Sequence, residues 1–299
     1  MCGIVGLFLK DSALQPSLGA LVAGMLCTLG DRGPDSAGIA VYGAAQAGRL
    51  KLTVQAPHAG YDLGPALAAA EAASGHDIRI AERHTHAVLG VPEAAEAAVR
   101  AALAAAAPEV VVVGSGTRME IYKEIGRPET VAAAFALGAM SGTHAVGHTR
   151  MATESAVTTT GAHPFSTGRD QCLVHNGSLS NHNAVRRDLV RRGLEFRTDN
   201  DSEVAAGYLS WRMAEGASLG EALKASLADL DGFYTFVVGT EDGFGVLRDP
   251  VACKPAVLAE TDAWVAFGSE YRALVDLPGI EGARVWEPEP ATPYFWTRA

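Results

Sequence analysis

Cysteine stands at position 2 behind only the initiator methionine, in the run Met1-Cys2-Gly3-Ile4-Val5-Gly6. Cysteine is small enough for that methionine to be trimmed. Trimming would leave one residue with both a thiol and an α-amino group of pKa about 7.7–8.0. Such an amine can take the thiol proton and later return it to a leaving amine, acting first as general base and then as general acid. The same residue also reads as a small buried side chain opening a strand. Cys2 to Leu9 is mostly apolar, and free cysteine is among the most buried residue types.

Three further polar segments have the chemistry to support such a nucleophile. Gly147-His148-Thr149-Arg150-Met151-Ala152-Thr153 places an arginine just after an apolar strand, where it could fork a carboxylate through two N–H groups. Val174-His175-Asn176-Gly177-Ser178-Leu179 places Asn-Gly at a strand end, where a side-chain amide and a backbone N–H could serve one oxyanion. Asn-Gly alone is also an ordinary turn. Thr198-Asp199-Asn200-Asp201-Ser202-Glu203-Val204 sets acids at a helix start, where capping and compensation of the helix dipole are the plain roles.

Other features invite chemistry less well. His163 before Pro164 reads as shaping its loop. His84 and His86 read as an exposed polar face, because no third metal ligand stands near them. Gly114-Ser115-Gly116 after Val110–Val113 reads as a turn, because the third glycine of a dinucleotide loop is replaced by Met119.

The elements that must position these residues follow from the apolar patterning. Strands are expected at Cys2–Leu9 and Ser36–Val41, with an amphipathic helix at Gln15–Leu29 between them. From Arg49 to Val113 the order is strand (Arg49–Gln55), helix (Pro65–Ala73), strand (Ile78–Glu82), strand (Thr85–Leu89), helix (Glu93–Ala107) and strand (Val110–Val113). That is the βαββαβ order of a ferredoxin-like unit, read as an insertion. Helices are expected at Met119–Ile125 and Pro128–Leu137, followed by strands around Thr143–Thr149 and Gln171–His175. Helices at Asn181–Arg192, Ser202–Glu215 and Leu219–Leu230 then precede strands at Phe233–Gly239, Gly243–Leu247, Ala256–Ala259 and Trp264–Phe267. Elements grouped in blocks imply stacked layers, an α+β class.

Composition limits the partners. A chain of 299 residues, 48% hydrophobic, can bury one large core or two. A net charge of −10 argues against nucleic acid, whose affinity comes from clustered Lys and Arg. No apolar run is long and clean enough to read as a signal peptide or membrane span. Cys2, Cys27, Cys172 and Cys253 are widely spaced without a C-x-x-C pair, which implies a reduced, cytoplasmic protein with no metal site and no cofactor on this chain.

Taken in order, the segments resemble the class II glutamine amidotransferases, N-terminal-nucleophile hydrolases with a four-layer αββα sandwich. The matching residues are Met1-Cys2-Gly3-Ile4-Val5-Gly6, Arg32-Gly33-Pro34-Asp35-Ser36-Ala37-Gly38, His148-Thr149-Arg150, Ala162-His163-Pro164, His175-Asn176-Gly177 and Asn200-Asp201-Ser202-Glu203. In the tail, Arg248-Asp249-Pro250 through Lys254-Pro255 and Gly268-Ser269-Glu270 look like the closing segments of such domains. The resemblance spans 1–299, apart from an insertion at about 44–142 whose ferredoxin-like unit covers about 49–114. It implies that Cys2 attacks the side-chain amide of glutamine with its own amine as base, and that Asn176 and Gly177 form the oxyanion hole. It further implies that Arg150, helped by Thr153, holds the substrate α-carboxylate and that Asp201 holds its α-ammonium. Arg32, on the substrate side, braces the nucleophile loop. Two residues depart from the pattern: Met151, where an aromatic residue is common, and Ala252, where glycine is usual.

The chain carries no motif for an ammonia acceptor, so the acceptor site is expected on another subunit. The layout is similar to the amidotransferase subunit of glutamate-synthase-like complexes, including N-methylglutamate synthase. That likeness implies a hetero-oligomer whose synthase subunit carries FMN and an iron–sulfur cluster. The alternative is a stand-alone N-terminal-nucleophile amidohydrolase that cleaves γ-glutamyl amides.

Overall fold

Strand β1 (Gly3–Leu9) is buried along its whole length, which explains why its apolar run is continuous and does not alternate. Its two faces serve two cores. Val5, Leu7 and Leu9 pack with Val22 and Leu26 of helix α1 (Leu18–Thr28), whereas Ile4 and Phe8 pack with Val174, Val237 and Phe244 of a second sheet. The period of two along a strand produces this division.

The computed structural model describes residues 2–152 and 157–298. After α1 come β2 (Ser36–Tyr42), β3 (Arg49–Gln55), α2 (Gly64–Ser74), β4 (Arg79–Arg83), β5 (His86–Pro92), α3 (Glu96–Ala106) and β6 (Val111–Gly116). Next are β7 (Met119–Ile125), α4 (Pro128–Ala134), β8 (His144–Arg150), β9 (Phe165–Gly168), β10 (Gln171–Leu179), α5 (His182–Arg191), α6 (Asp201–Ala214) and α7 (Leu219–Asp229). The chain continues through β11 (Gly232–Gly239), β12 (Gly243–Arg248), β13 (Val257–Glu260), β14 (Trp264–Gly268), β15 (Arg284–Trp286) and β16 (Tyr294–Thr297).

Two antiparallel sheets stack face to face, one in the order β15-β13-β14-β1-β8-β2-β7 and the other β16-β12-β11-β10-β9. Helices α1 and α4 cover the outer face of the first, and α5, α6 and α7 cover that of the second. The result is the four-layer αββα sandwich. A third sheet, β4-β5-β3-β6, is wholly antiparallel and is covered by α2 and α3 through Ala66, Ala70, Val99 and Leu103. Its chain order, β-α-β-β-α-β, is that of a ferredoxin-like unit.

The third sheet is tied to the sandwich mainly along β7. Lys51 pairs with Glu120 at 2.7 Å, Thr85 Oγ1 donates to Glu124 at 2.7 Å, and His86 packs edge-on against Phe135, centroid to centroid 5.1 Å. Three sequence expectations are corrected here. Met119–Ile125 is a strand and not a helix, pairing in full register with β2 from Ser36↔Ile125 to Tyr42↔Met119. His86 is buried beneath Phe135 and does not belong to an exposed polar face. Gly114-Ser115-Gly116 continues β6 and is no turn, with Gly116 pressed against Asp170.

Candidate active site

Cys2 lies immediately before β1, where the pairing Gly3↔Thr149 brings it beside the end of β8. It is half-buried, and its Sγ lies 3.9 Å from the Met151 carbonyl oxygen. Its own carbonyl accepts two bonds from distant parts of the chain, Arg32 Nε at 3.1 Å and Asn176 Nδ2 at 3.3 Å. Arg32 is buried and forms an ion pair with Glu270, which holds the Glu270 carboxyl below its usual range. Next door, Ser269 Oγ accepts from the Ile4 N–H at 2.9 Å while the Ser269 N–H donates to the Ile4 carbonyl at 2.9 Å. The tail segment Gly268-Ser269-Glu270 therefore secures the entry to β1.

Asn176 and Gly177 lie on β10, opposite Thr235 and Tyr234 of β11. Asn176 is buried, so its amide can point only at groups the fold supplies. Gly177 has φ +151°, and a Cβ there would overlap the Phe233 carbonyl oxygen. Only glycine lets the backbone lie this close to β11.

The turn Arg32-Gly33-Pro34-Asp35 is fastened to the end of β8. The Asp35 N–H donates to the Arg150 carbonyl at 3.1 Å, and Asp35 Oδ2 accepts from the Ala152 N–H at 2.8 Å. A Cβ at Gly33 would overlap the backbone between Thr149 and Arg150, which explains the glycine of this motif. Arg150 is buried at the strand end. Thr153 lies outside the described residues. Asp201 is the first residue of α6, whose N-cap Asn200 accepts from the Ser202 N–H at 2.9 Å. Its Oδ2 accepts from the Leu179 N–H at 2.9 Å, fixing the helix start to the far end of β10.

Between the sheets lies a cluster that sequence reasoning did not place in the site. His148, His163 and His175 are all buried, with the His148 and His163 ring centroids 4.1 Å apart. Burial pushes the His148 pKa down to about 3, with His175 and Arg150 adding to the effect. His163 is driven well below the usual range for the same leading reason, and His175 is lowered by burial against the pull of Asp201. Near neutral pH these rings are uncharged. His175 Nδ1 meets Ser202 Oγ at 2.8 Å and lies 3.7 Å from Asp201 Oδ1. A signal was available in the sequence, since each of the segments His148-Thr149-Arg150, Ala162-His163-Pro164 and His175-Asn176-Gly177 contributes one of these histidines.

The structure thus joins Cys2, Arg32 and Asn176 by direct hydrogen bonds. It sets Arg150 one strand residue beyond the partner of Gly3, and it ties Asp201 to β10 two residues past Gly177.

Residues 148–276 match a family profile described as a glutamine amidotransferase domain. The chain is 62% identical to the glutamine amidotransferase-like protein GlxB of Rhizobium meliloti, over 99% of this chain and 98% of the relative. It is 33% identical to a putative glutamine amidotransferase of Methanothermobacter thermautotrophicus, over 94% and 96% of the two chains. Among solved structures, the glutamine phosphoribosylpyrophosphate amidotransferase of B. subtilis superposes with a TM-score of 0.62 at 19% identity, covering 99% of this chain and 47% of that one. The fold is therefore that of the N-terminal-nucleophile amidotransferases. The chain belongs to the class II glutamine amidotransferases and is an enzyme of that class.

Proposed function

We propose that the enzyme hydrolyses the side-chain amide of glutamine with Cys2 as nucleophile and releases ammonia to a separate synthase subunit. The observation that carries this reading is the convergence of Arg32 Nε and Asn176 Nδ2 on the carbonyl of Cys2. It supports a nucleophile held rigidly beside an amide donor.

In this reading the Cys2 amine, freed by removal of Met1, takes the thiol proton, and the sulfur adds to the amide carbon. Negative charge develops on the amide oxygen and is met by Asn176 Nδ2 and the Gly177 N–H. The protonated amine gives its proton to the departing nitrogen, ammonia leaves, and a thioester remains. Water activated by the same amine then opens the thioester, giving glutamate and the free thiol. Arg150 and Thr153 take the substrate α-carboxylate as a fork, and Asp201 takes the α-ammonium. Arg32, on the substrate side, acts by fixing the Cys2 carbonyl.

The acceptor reading is that the synthase is of the glutamate-synthase or N-methylglutamate-synthase kind and brings FMN and an iron–sulfur cluster. Its support is architectural: the described elements belong to the sandwich and the ferredoxin-like unit, and the phosphoribosylpyrophosphate amidotransferase of B. subtilis carries its matching fold in 47% of a longer chain. In this reading the insertion runs from about 44 to 142 and its separate layer from about 49 to 114; the return of Met119–Ile125 to the main sheet supports the end of that layer.

The test uses purified chain and glutamine, with ammonia and glutamate measured. Hydrolysis lost in Cys2→Ala, with labelling of Cys2 alone by a glutamine-like diazo-ketone, is the expected result. Labelling of Cys27, Cys172 or Cys253 with activity retained in Cys2→Ala refutes the nucleophile. A chain that is fully active and monomeric in extract, with no rate change on adding a flavin-containing synthase, refutes the subunit role and favours the stand-alone amidohydrolase.

A further inference from the structure

A cavity of about 440 Å³ opens where the ferredoxin-like unit meets the sandwich, outside the site described above. Its walls include Val112 and Ser115 of β6, Lys123 of β7, Phe165 of β9 and the loop before α6 that carries Arg197. This volume suits a ligand of metabolite size.

Lys123 gives the cavity its character. Its side chain is buried, and its ammonium donates to the Ala162 carbonyl at 2.9 Å and the Thr160 carbonyl at 3.2 Å while sitting 4.9 Å over the Phe165 ring. An ammonium has three donors, and two are used. Arg197 donates to the Val112 carbonyl at 2.7 Å. Among the described residues neither cation forms an ion pair. The nearby acid Glu203 commits its oxygens to the backbone N–H groups of Arg197 at 3.0 Å and Thr198 at 2.8 Å, and to Thr198 Oγ1 at 2.7 Å. Arg100 and Glu195 also line the cavity, and Arg100 is already paired with Glu96 at 2.8 Å. Burial lowers the Lys123 pKa to about 8, opposed by Glu203 and reinforced by Arg197, so the group remains mostly protonated at neutral pH. A buried ammonium without a carboxylate is costly unless something compensates it.

Both glutamine-binding loops are attached to this cavity. The carbonyls that hold Lys123 belong to Thr160 and Ala162, on the segment that leads into His163 beside His148 of β8, and Arg197 and Thr198 lead directly into Asp201. A ligand drawing on Lys123 and Arg197 would pull on both.

We propose that this cavity binds a small organic anion, its carboxylate or phosphate group set between Lys123 and Arg197 and its apolar part against Phe165 and Val112, and that occupancy adjusts the glutamine loops. The binding part stands on the cavity alone; the adjustment rests on the amidotransferase reading.

The binding test is calorimetric titration of the full chain carrying Cys2→Ala, with succinate and inorganic phosphate as separate probes. Saturable binding of at least one probe is expected, weakened about tenfold or more in Arg197→Gln and in Lys123→Gln, the effect of losing one charge-assisted bond. Succinate alone identifies a carboxylate ligand, and phosphate alone a phosphorylated one. Binding of neither probe, or binding that both substitutions leave unchanged, overturns the site. If Lys123→Gln does not fold by circular dichroism, Arg197→Gln decides, since its residue lies in a partly exposed loop. In the unsubstituted enzyme the probe that binds is expected to change KM for glutamine at least about twofold, and Arg197→Gln to abolish that response. An unchanged KM overturns the adjustment. Absence of any glutaminase activity would instead count against the proposed function and leave the binding result standing.

Discussion

Replacing Asn176 by alanine separates the oxyanion role from a purely structural one. Among the described residues Asn176 Nδ2 makes one bond, to the Cys2 carbonyl at 3.3 Å, a long contact for an amide donor. Its loss should cost about 0.5–1.5 kcal/mol of stability, lowering the melting temperature by only a few degrees. In the proposed transition state the same donor would meet the developing negative charge, where removing one such donor costs roughly 2.7–4 kcal/mol, or 10²–10³ in kcat. KM should hardly change, because the oxyanion does not exist in the ground state. Asn176→Asp should be worse than Asn176→Ala, since a carboxylate would repel both the oxyanion and the Cys2 carbonyl. The assay is steady-state ammonia release, with thermal unfolding run in parallel. A kcat within threefold of the parent, or a loss confined to KM, would refute the oxyanion assignment. A large fall in melting temperature would show that the residue acts through the fold.

Arg150→Lys keeps the charge but loses the planar fork, so KM for glutamine should rise about tenfold or more with a smaller change in kcat; an unchanged KM would remove Arg150 from substrate binding. His86, His144 and His148 are each held near pKa 3 by burial, against 6.5 when exposed, so the unfolded chain binds more protons between those values. Stability should therefore be full above about pH 6.5 and fall with acid, by about 1.4 kcal/mol per pH unit for each such histidine; a melting temperature flat down to pH 4 would contradict this. Ala252 sits at φ +50°, in the left-handed region, at the position where the family resemblance leads one to expect glycine. Ala252→Gly should raise stability by roughly 0.5–1 kcal/mol in denaturant unfolding, and a destabilised variant would show that no strain is stored there.

The sequence by itself singled out the candidate chemistry-bearing groups and most of the scaffold. Cys2, Arg150 and Asp201 stood out as candidates because each sits at the edge of an element whose local signal is strong, whereas Asn176-Gly177, expected at a strand end, lies within β10, which pairs with β11 as far as Leu179. The βαββαβ order was legible for the same reason, since α2 and α3 are covered on one side only and keep their helical spacing. What failed locally was the strand Met119–Ile125. Lys123 occupies an inward position there, which breaks the alternation that marks a strand and leaves apolar residues at helix-like intervals. That lysine is held inward by the carbonyls of Thr160 and Ala162, nearly forty residues away, which accept its hydrogen bonds. His86 misled in the same way, since a polar side chain is expected outside until Phe135 is folded over it. Tertiary structure alone decided that Arg32 and Asn176 meet at the carbonyl of Cys2, with Glu270 paired behind Arg32, and that three motif histidines share one buried space. Local propensity reports only what a residue's near neighbours in sequence impose. The compensation that makes a buried charge or an uncharged imidazole affordable comes from strands that pair across more than a hundred residues.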